Sequence, residues 1–175
     1  GQGHSEVARA HARLWADEKV RLDTARRMYA FRFGKILPHR DISVLRGIEG
    51  ARMKEIYRIQ ADRYRLPWEG RHYDRGRPDD TDIPNQAINH AATFVECAAD
   101  VAVAALGALP PLGFIHEDSS NAFTLDIADL YRAEVTIPLA FRVARLALDN
   151  PGLNLERTLR KEAAVEFRRG KLIPK

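Results

Sequence analysis

Apolar residues recur three to four positions apart through nearly every long segment of the chain, and no stretch alternates with the two-residue period of a half-buried strand. The pattern predicts an all-α fold. Residues 5–15 read as a first helix, with Ser5 supplying an N-cap oxygen. Residues 17–33 form a second, in which Val20, Leu22, Ala25, Met28, Tyr29 and Phe33 lie toward the core while Lys19, Arg21, Arg26, Arg27 and Arg32 fall largely on an exposed basic side. A third helix, capped by Ser43, reaches about Tyr64 and offers Leu45, Ile48, Met53, Ile56 and Tyr57 to the core.

Periodicity breaks over residues 66–82, where Pro67, Gly70, Gly76 and Pro78 mark a long loop of the sort that is usually functional inside a compact domain. Thr81 or Asp82 then caps the most apolar helix, which runs to about Leu106 with Pro84 in its first turn; Ala87, Ile88, Ala91, Phe94, Val95, Ala98, Val101 and Ala104 are its expected core face. Gly107 stops it. The run Leu109-Pro110-Pro111-Leu112-Gly113-Phe114-Ile115 is a rigid connector with room for a short extended piece. Residues 123–133, 135–150 and 153–169 give the remaining helices, with Pro138 at a start or kink.

A length of 175 residues with 45% hydrophobic and 30% charged side chains suits one domain with a real core, so residues 1–175 are read together. The formal charge of +4 conceals a segregation. Residues 1–75 carry 17 basic and 10 acidic side chains, residues 76–150 carry 4 and 11, and residues 151–175 carry 7 and 3. Two basic flanks around an acidic middle suggest a polyanionic partner beside a place that holds cations. A lone cysteine, Cys97, has no internal disulfide partner; it lies in an apolar helix and reads as a buried inert thiol. The longest apolar run, residues 101–109, is too short to span a bilayer, and the first ten residues have no signal-peptide core, so a cytoplasmic protein without membrane association is expected.

Four acidic and imidazole side chains break the apolar logic. Glu49 shares a helical stripe with Leu45, Met53 and Ile56, so it must be ion-paired, protonated or bound to a cation; Arg46 and Arg52 are the nearest candidate partners. His116 emerges from the rigid connector at the lip of the core. Asp126 and Asp129, spaced i, i+3, place two carboxylates on one side of a helix whose packing surface would be Leu125, Ile127, Ala128 and Leu130. Read singly, each is a solvated or hydrogen-bonded structural residue. Together they form a mixed His/carboxylate set, better suited to Mn²⁺ or Mg²⁺ than to structural zinc. His116-Glu117-Asp118 is a weak hydrolase-like signature, and the residues 79–82 cluster reads more simply as a capping loop. There is no Walker loop, dinucleotide fingerprint or serine elbow. In the long loop, Trp68, Arg71, His72, Tyr73, Arg75 and Arg77 interleave aromatics with cations, either to grip nucleic acid or as a surface loop anchored by Trp68 and Tyr73.

The strings LRGIEGARMKEIY (45–57), WEGRHYD (68–74), DIPNQAIN (82–89) and LGFIHEDSSNAFTLDIADLYR (112–132) closely resemble the helical C-terminal catalytic domain of the CRISPR-associated integrase-nuclease, above all the branch accompanying subtype I-E systems. The resemblance extends over essentially the whole chain. It implies that Glu49, His116 and Asp129 hold a divalent ion, Mg²⁺ or Mn²⁺, that Asp126 supports activity beside it, and that Arg46, Arg71, Tyr73 and Arg132 line a DNA path. The implied activity is DNA endonuclease and integrase chemistry in CRISPR adaptation, joining a short foreign fragment to the repeat array. The implied partners are DNA, a second copy of the family protein and a small ferredoxin-like adaptation protein. Against the family pattern, the β-rich N-terminal domain is expected to be absent before Gly1, and the tail shortened after Lys171-Leu172-Ile173-Pro174. The rival reading is a non-catalytic helical nucleic-acid-binding module, its acidic residues serving as caps and ion pairs.

Overall fold

The computed structural model describes residues 2–74, 76–77 and 79–169. Arg75 and Pro78 of the long loop, Gly1 and the segment 170–175 lie outside the described residues. Among the described residues every regular element is helical: α1 (Gln2–Ala16), α2 (Glu18–Phe33), α3 (Ile42–Tyr64), α4 (Ile83–Leu106), α5 (Ala122–Asp129), α6 (Ile137–Asp149) and α7 (Leu155–Arg168), with one π-helical turn over Arg132–Thr136. No described helix is long and apolar enough to cross a membrane.

Several caps differ from those predicted. α1 begins three residues before Ser5, which therefore sits inside the helix. The Asp17 side chain caps α2 by accepting from Val20 N–H, and Gly34 ends it with φ 67°. Ser43 does not cap α3; the Asp41 carboxylate, two residues earlier and just before the helix, accepts the Ser43 N–H at 2.7 Å. Asp82 caps α4 through the Asn85 N–H at 2.8 Å. The 109–115 connector is built of turns, with no strand. Pro138 lies in the first turn of α6, just after the π-turn; because proline lacks an N–H, the backbone ladder shifts register before it, and Thr136 N–H reaches back to Tyr131 C=O at 3.2 Å.

The chain divides into two compact units, one of Gly1–Gly50 with Glu96–Leu130, the other of Ala51–Val95 with Tyr131–Lys175. α3 and α4 each contribute to both. In the first, α1 packs on α2, and the core is Ala25, Tyr29, Leu45, Phe114 and Ile115, closed by Trp15, Met28, Phe33, Leu37, Ile42 and Phe123. In the second, α6 packs on α7 and on the π-turn, around Tyr57, Ile88, Ile137, Phe141 and Leu159.

The buried stripe of α4 changes course along its length. Ala87, Ile88, Ala91 and Val95 are buried as expected, but the later core positions are Ala99 and Val103, whereas Val101 is 71% exposed. Cys97, two residues from each of Val95 and Ala99, is therefore on the opposite side and is exposed, not buried. Gly107 stops α4 at φ 75°, where a Cβ would stand 2.8 Å from the backbone of His4.

Candidate functional site

The connector before His116 is held from two sides within the first unit. From α1, the Trp15 indole donates to Gly113 C=O at 2.9 Å. His11 accepts the Leu109 N–H at Nδ1, so its proton resides on Nε2, which donates to Leu112 C=O at 2.9 Å. From α5, Phe123 N–H donates to Pro110 C=O at 2.8 Å. Gly113 is required by the close approach this creates: a Cβ there would lie 2.1 Å from the His116 carbonyl oxygen and 2.7 Å from Ala122 Cβ.

Asp126 is the centre of that arrangement. Its carboxylate is 1% exposed and accepts the N–H groups of Phe114 (2.6 Å), Ile115 (3.1 Å) and His116 (3.0 Å). It also pairs with His116 Nδ1 at 2.7 Å. Three consecutive backbone donors on one buried carboxylate fold the connector back toward α5 and fix the imidazole plane. The hydrogen bond His116 donates to Asp126, aided by the Asp129 charge, raises the His116 pKa above its ordinary value against the opposing effect of burial. Asp126 and Asp129 do not share the predicted environment, since Asp126 is fully buried while the Asp129 side chain keeps 21% exposure. The inward residues of α5 are Ala122, Thr124, Asp126 and Ala128, with Leu125 and Ile127 only half-buried.

With Nδ1 engaged, His116 Nε2 faces Asp129, 3.7 Å from Oδ2. The same Oδ2 lies 3.5 Å from Nη2 of Arg32, and that Nη2 is 2.9 Å from Glu49 Oε1, which also accepts from Arg32 Nε at 3.0 Å. Glu49, His116 and Asp129 thus come together, with the Arg32 guanidinium joining the two carboxylates. Glu49 pairs with Arg32, a partner from another helix that the sequence reading did not name. As the side chains stand, no three His, Cys, Asp or Glu groups among the described residues meet at one ligating point. The donor chemistry of the cluster, two carboxylates and one imidazole about a single positive charge, matches a hard divalent ion.

Arg46 is exposed beside this cluster. It donates to Ile115 C=O at 3.3 Å and, with His116, Glu117, Asp118 and Ser119, borders a depression of about 290 Å³. Burial raises the Tyr29 phenol pKa beneath it, while Arg32 and Arg46 pull the other way.

The second unit carries the loop residues. Arg71 is half-buried and donates to the side-chain oxygens of Asn85 (3.0 Å) and Asn89 (2.6 Å) and to His72 C=O (2.7 Å). Burial lowers its pKa most, the nearby Arg132 adds to this, and Tyr57 opposes it. Arg132 donates to the Tyr57 hydroxyl at 3.0 Å. Tyr73 is 61% exposed, with the Arg71 guanidinium 5.2 Å over its ring, so it does not anchor the loop. Trp68 does, packing against Tyr57 and Phe141 at 5.3 Å each.

Asn85 escaped the sequence reading. It is wholly buried; its carbonyl accepts Arg71 Nη1 and the His72 N–H, and its amide donates to Gly70 C=O and Asp82. Two asparagines four apart in the most apolar helix were the available signal. Arg32 escaped too, because the basic run of α2 placed it on the solvent side, whereas its side chain is 7% exposed.

A family model described as CRISPR associated protein Cas1 matches residues 2–152. The CRISPR-associated endonuclease Cas1 1 of Rhodospirillum rubrum is 36% identical over 167 residues, covering 94% of this chain and 53% of that protein. The CRISPR-associated endonuclease Cas1 of Escherichia coli is 35% identical over 176 residues, 100% of this chain and 56% of that protein. The crystal structure of a TtCas1-DNA complex superposes with a TM-score of 0.84 at 34% identity, covering 94% of this chain and 60% of that one. The chain spans about half the length of the curated relatives it matches.

Proposed function

Because this chain belongs to the CRISPR-associated Cas1 family, we propose that it is the helical nuclease and integrase portion of such a protein, of the subtype I-E branch, and that Glu49, His116 and Asp129 hold Mg²⁺ or Mn²⁺. The four ordered motifs support the subtype assignment. The observation that carries the metal reading is that Glu49 and Asp129, from separate helices, both meet the Arg32 guanidinium while His116 Nε2 faces the same Asp129 oxygen.

The reaction is strand transfer in CRISPR adaptation: the 3′-oxygen of a short foreign fragment bonds to phosphorus at the edge of a repeat while the bond from phosphorus to the strand's own 3′-oxygen breaks. Water in the nucleophile's place gives endonuclease cleavage. A bound divalent ion supplies Lewis acidity, lowering the nucleophile's proton affinity and neutralising charge on the phosphorane-like transition state. The chain's own residues set the stage. Asp126 orients His116 by occupying Nδ1 and leaving Nε2 toward the carboxylates, the arrangement by which an outer carboxylate fixes a ligating imidazole.

Arg46, exposed beside His116, receives a backbone phosphate. In the second unit, Asn85 and Asn89 hold Arg71 in place before DNA arrives, which lowers the ordering cost on binding, and Tyr73 offers an exposed ring for base stacking. Arg132, steadied by Tyr57, completes the DNA contacts. On family grounds the full-length protein works as a homodimer with a small ferredoxin-like partner.

The test is cleavage and joining of labelled DNA by the purified chain in Mn²⁺ or Mg²⁺, with a chelator control. Activity is expected to require the ion and to fall about a hundredfold or more in Glu49→Ala, His116→Ala or Asp129→Ala. DNA binding without ion-dependent chemistry, unchanged in the triple variant, would instead establish a non-catalytic nucleic-acid-binding module.

A further inference from the structure

We propose that Arg32 is the candidate site's built-in competitor cation, occupying the charge position between Glu49 and Asp129 and setting how tightly a divalent ion binds there; this rests on the metal reading above. Arg32 comes from the last turn of α2, an element that contributes none of the proposed ligands. Its Nε and Nη2 both contact Glu49 Oε1, at 3.0 and 2.9 Å, and Nη2 also lies 3.5 Å from Asp129 Oδ2. The Arg32 and Glu49 side chains are 7% and 8% exposed, so water screens this charge poorly.

Two carboxylates this close repel each other unless a cation stands with them, and a guanidinium, which does not deprotonate in proteins, supplies one at every accessible pH. The aromatic face of Tyr29, 5.4 Å from the Arg32 guanidinium carbon, steadies it there. A divalent ion bound by Glu49 and Asp129 draws on the same two carboxylates that Arg32 neutralises and would face a like charge at close range if the guanidinium stayed. Ion binding and the Arg32 bridge are therefore mutually exclusive states. The observed affinity is the intrinsic affinity reduced by the fraction of molecules in which Arg32 has withdrawn. The arrangement keeps the carboxylates together when no ion is bound and demands a threshold ion concentration before the site is loaded.

The experiment is calorimetric titration of Mn²⁺ into the protein without DNA, comparing the parent with Arg32→Gln and Arg32→Lys. Arg32→Gln is expected to bind Mn²⁺ about tenfold or more tightly, since a unit charge within a few ångströms of a divalent ion is worth at least that at a poorly screened position. Arg32→Lys keeps the competing charge and is expected within about threefold of the parent, by the same Coulombic reasoning. Should Arg32→Gln be unstable without ion, its melting temperature followed against Mn²⁺ concentration gives the same answer, with a larger Mn²⁺-induced rise than in the parent. Equal or weaker Mn²⁺ binding by Arg32→Gln, or tightening as great in Arg32→Lys, overturns the competitor role while leaving the metal reading intact. Absence of Mn²⁺ binding in all three proteins overturns both.

Discussion

Nη2 of Arg32 stands 2.9 Å from Oε1 of Glu49, a pair joining the last turn of α2 to the first half of α3 with both side chains almost wholly buried. Removing one partner of such a pair strands the other's charge. Glu49→Leu is expected to destabilise the ion-free protein by about 3–5 kcal/mol, whereas adding Arg32→Met to it recovers most of that loss. Urea denaturation of the two single variants and the double variant, analysed as a thermodynamic cycle, measures it.

Asp126 is expected to matter for folding as well as chemistry. Asp126→Asn keeps the shape but sets an amide N–H₂ against backbone donors that converge on the present carboxylate. A loss of about 2–4 kcal/mol follows from leaving buried donors unsatisfied, with amide exchange accelerated at Phe114, Ile115 and His116. Exchange confined to other segments would show that the connector is held by something else.

Gly113→Ala places a methyl group 2.1 Å from the His116 carbonyl oxygen. Neither that backbone atom nor Ala122 is a flexible side-chain end, so the connector must move. The expected cost is about 3 kcal/mol or more, read as a fall in melting temperature, together with a shifted His116 ring resonance.

Much of this was legible in the chain. The helical period gave the all-α class and the helix positions, because every core face repeats with the same spacing. Glu49 declared itself as a carboxylate in an apolar stripe. Arg32 did not, since periodicity assigns a long cation at the edge of a helix to solvent and cannot foresee a buried carboxylate contributed by another helix. Cys97 and Val101 were misplaced for a related reason: α4 is apolar nearly all round, so its composition does not mark which side is covered. Asp126 was found as a candidate, but its hold on three consecutive backbone N–H groups depends on a chain reversal that no spacing encodes.

Asn85→Ala separates preorganisation from charge. It removes no cation, yet it deletes the acceptor shared by Arg71 and the His72 N–H. Stability is expected to fall by about 1–3 kcal/mol and DNA affinity to weaken while the salt dependence of binding keeps its slope, because the number of phosphate contacts is unchanged. A reduced slope in filter binding across salt concentrations would mean that Arg71 no longer reaches the backbone.

The exposed Cys97 thiol gives an independent check on the register of α4. One thiol per chain is expected to react with a maleimide in the native protein at the rate of a small-molecule thiol. Protection lifted only by denaturant would return Cys97 to the core.

The most direct measurement is an anomalous difference map, collected at the manganese absorption edge from crystals grown with Mn²⁺. The expected result is one peak within ligating distance of Glu49, His116 and Asp129, with the Arg32 guanidinium drawn away from Glu49. A map with no peak there, and Arg32 still bridging the two carboxylates at saturating Mn²⁺, would contradict it.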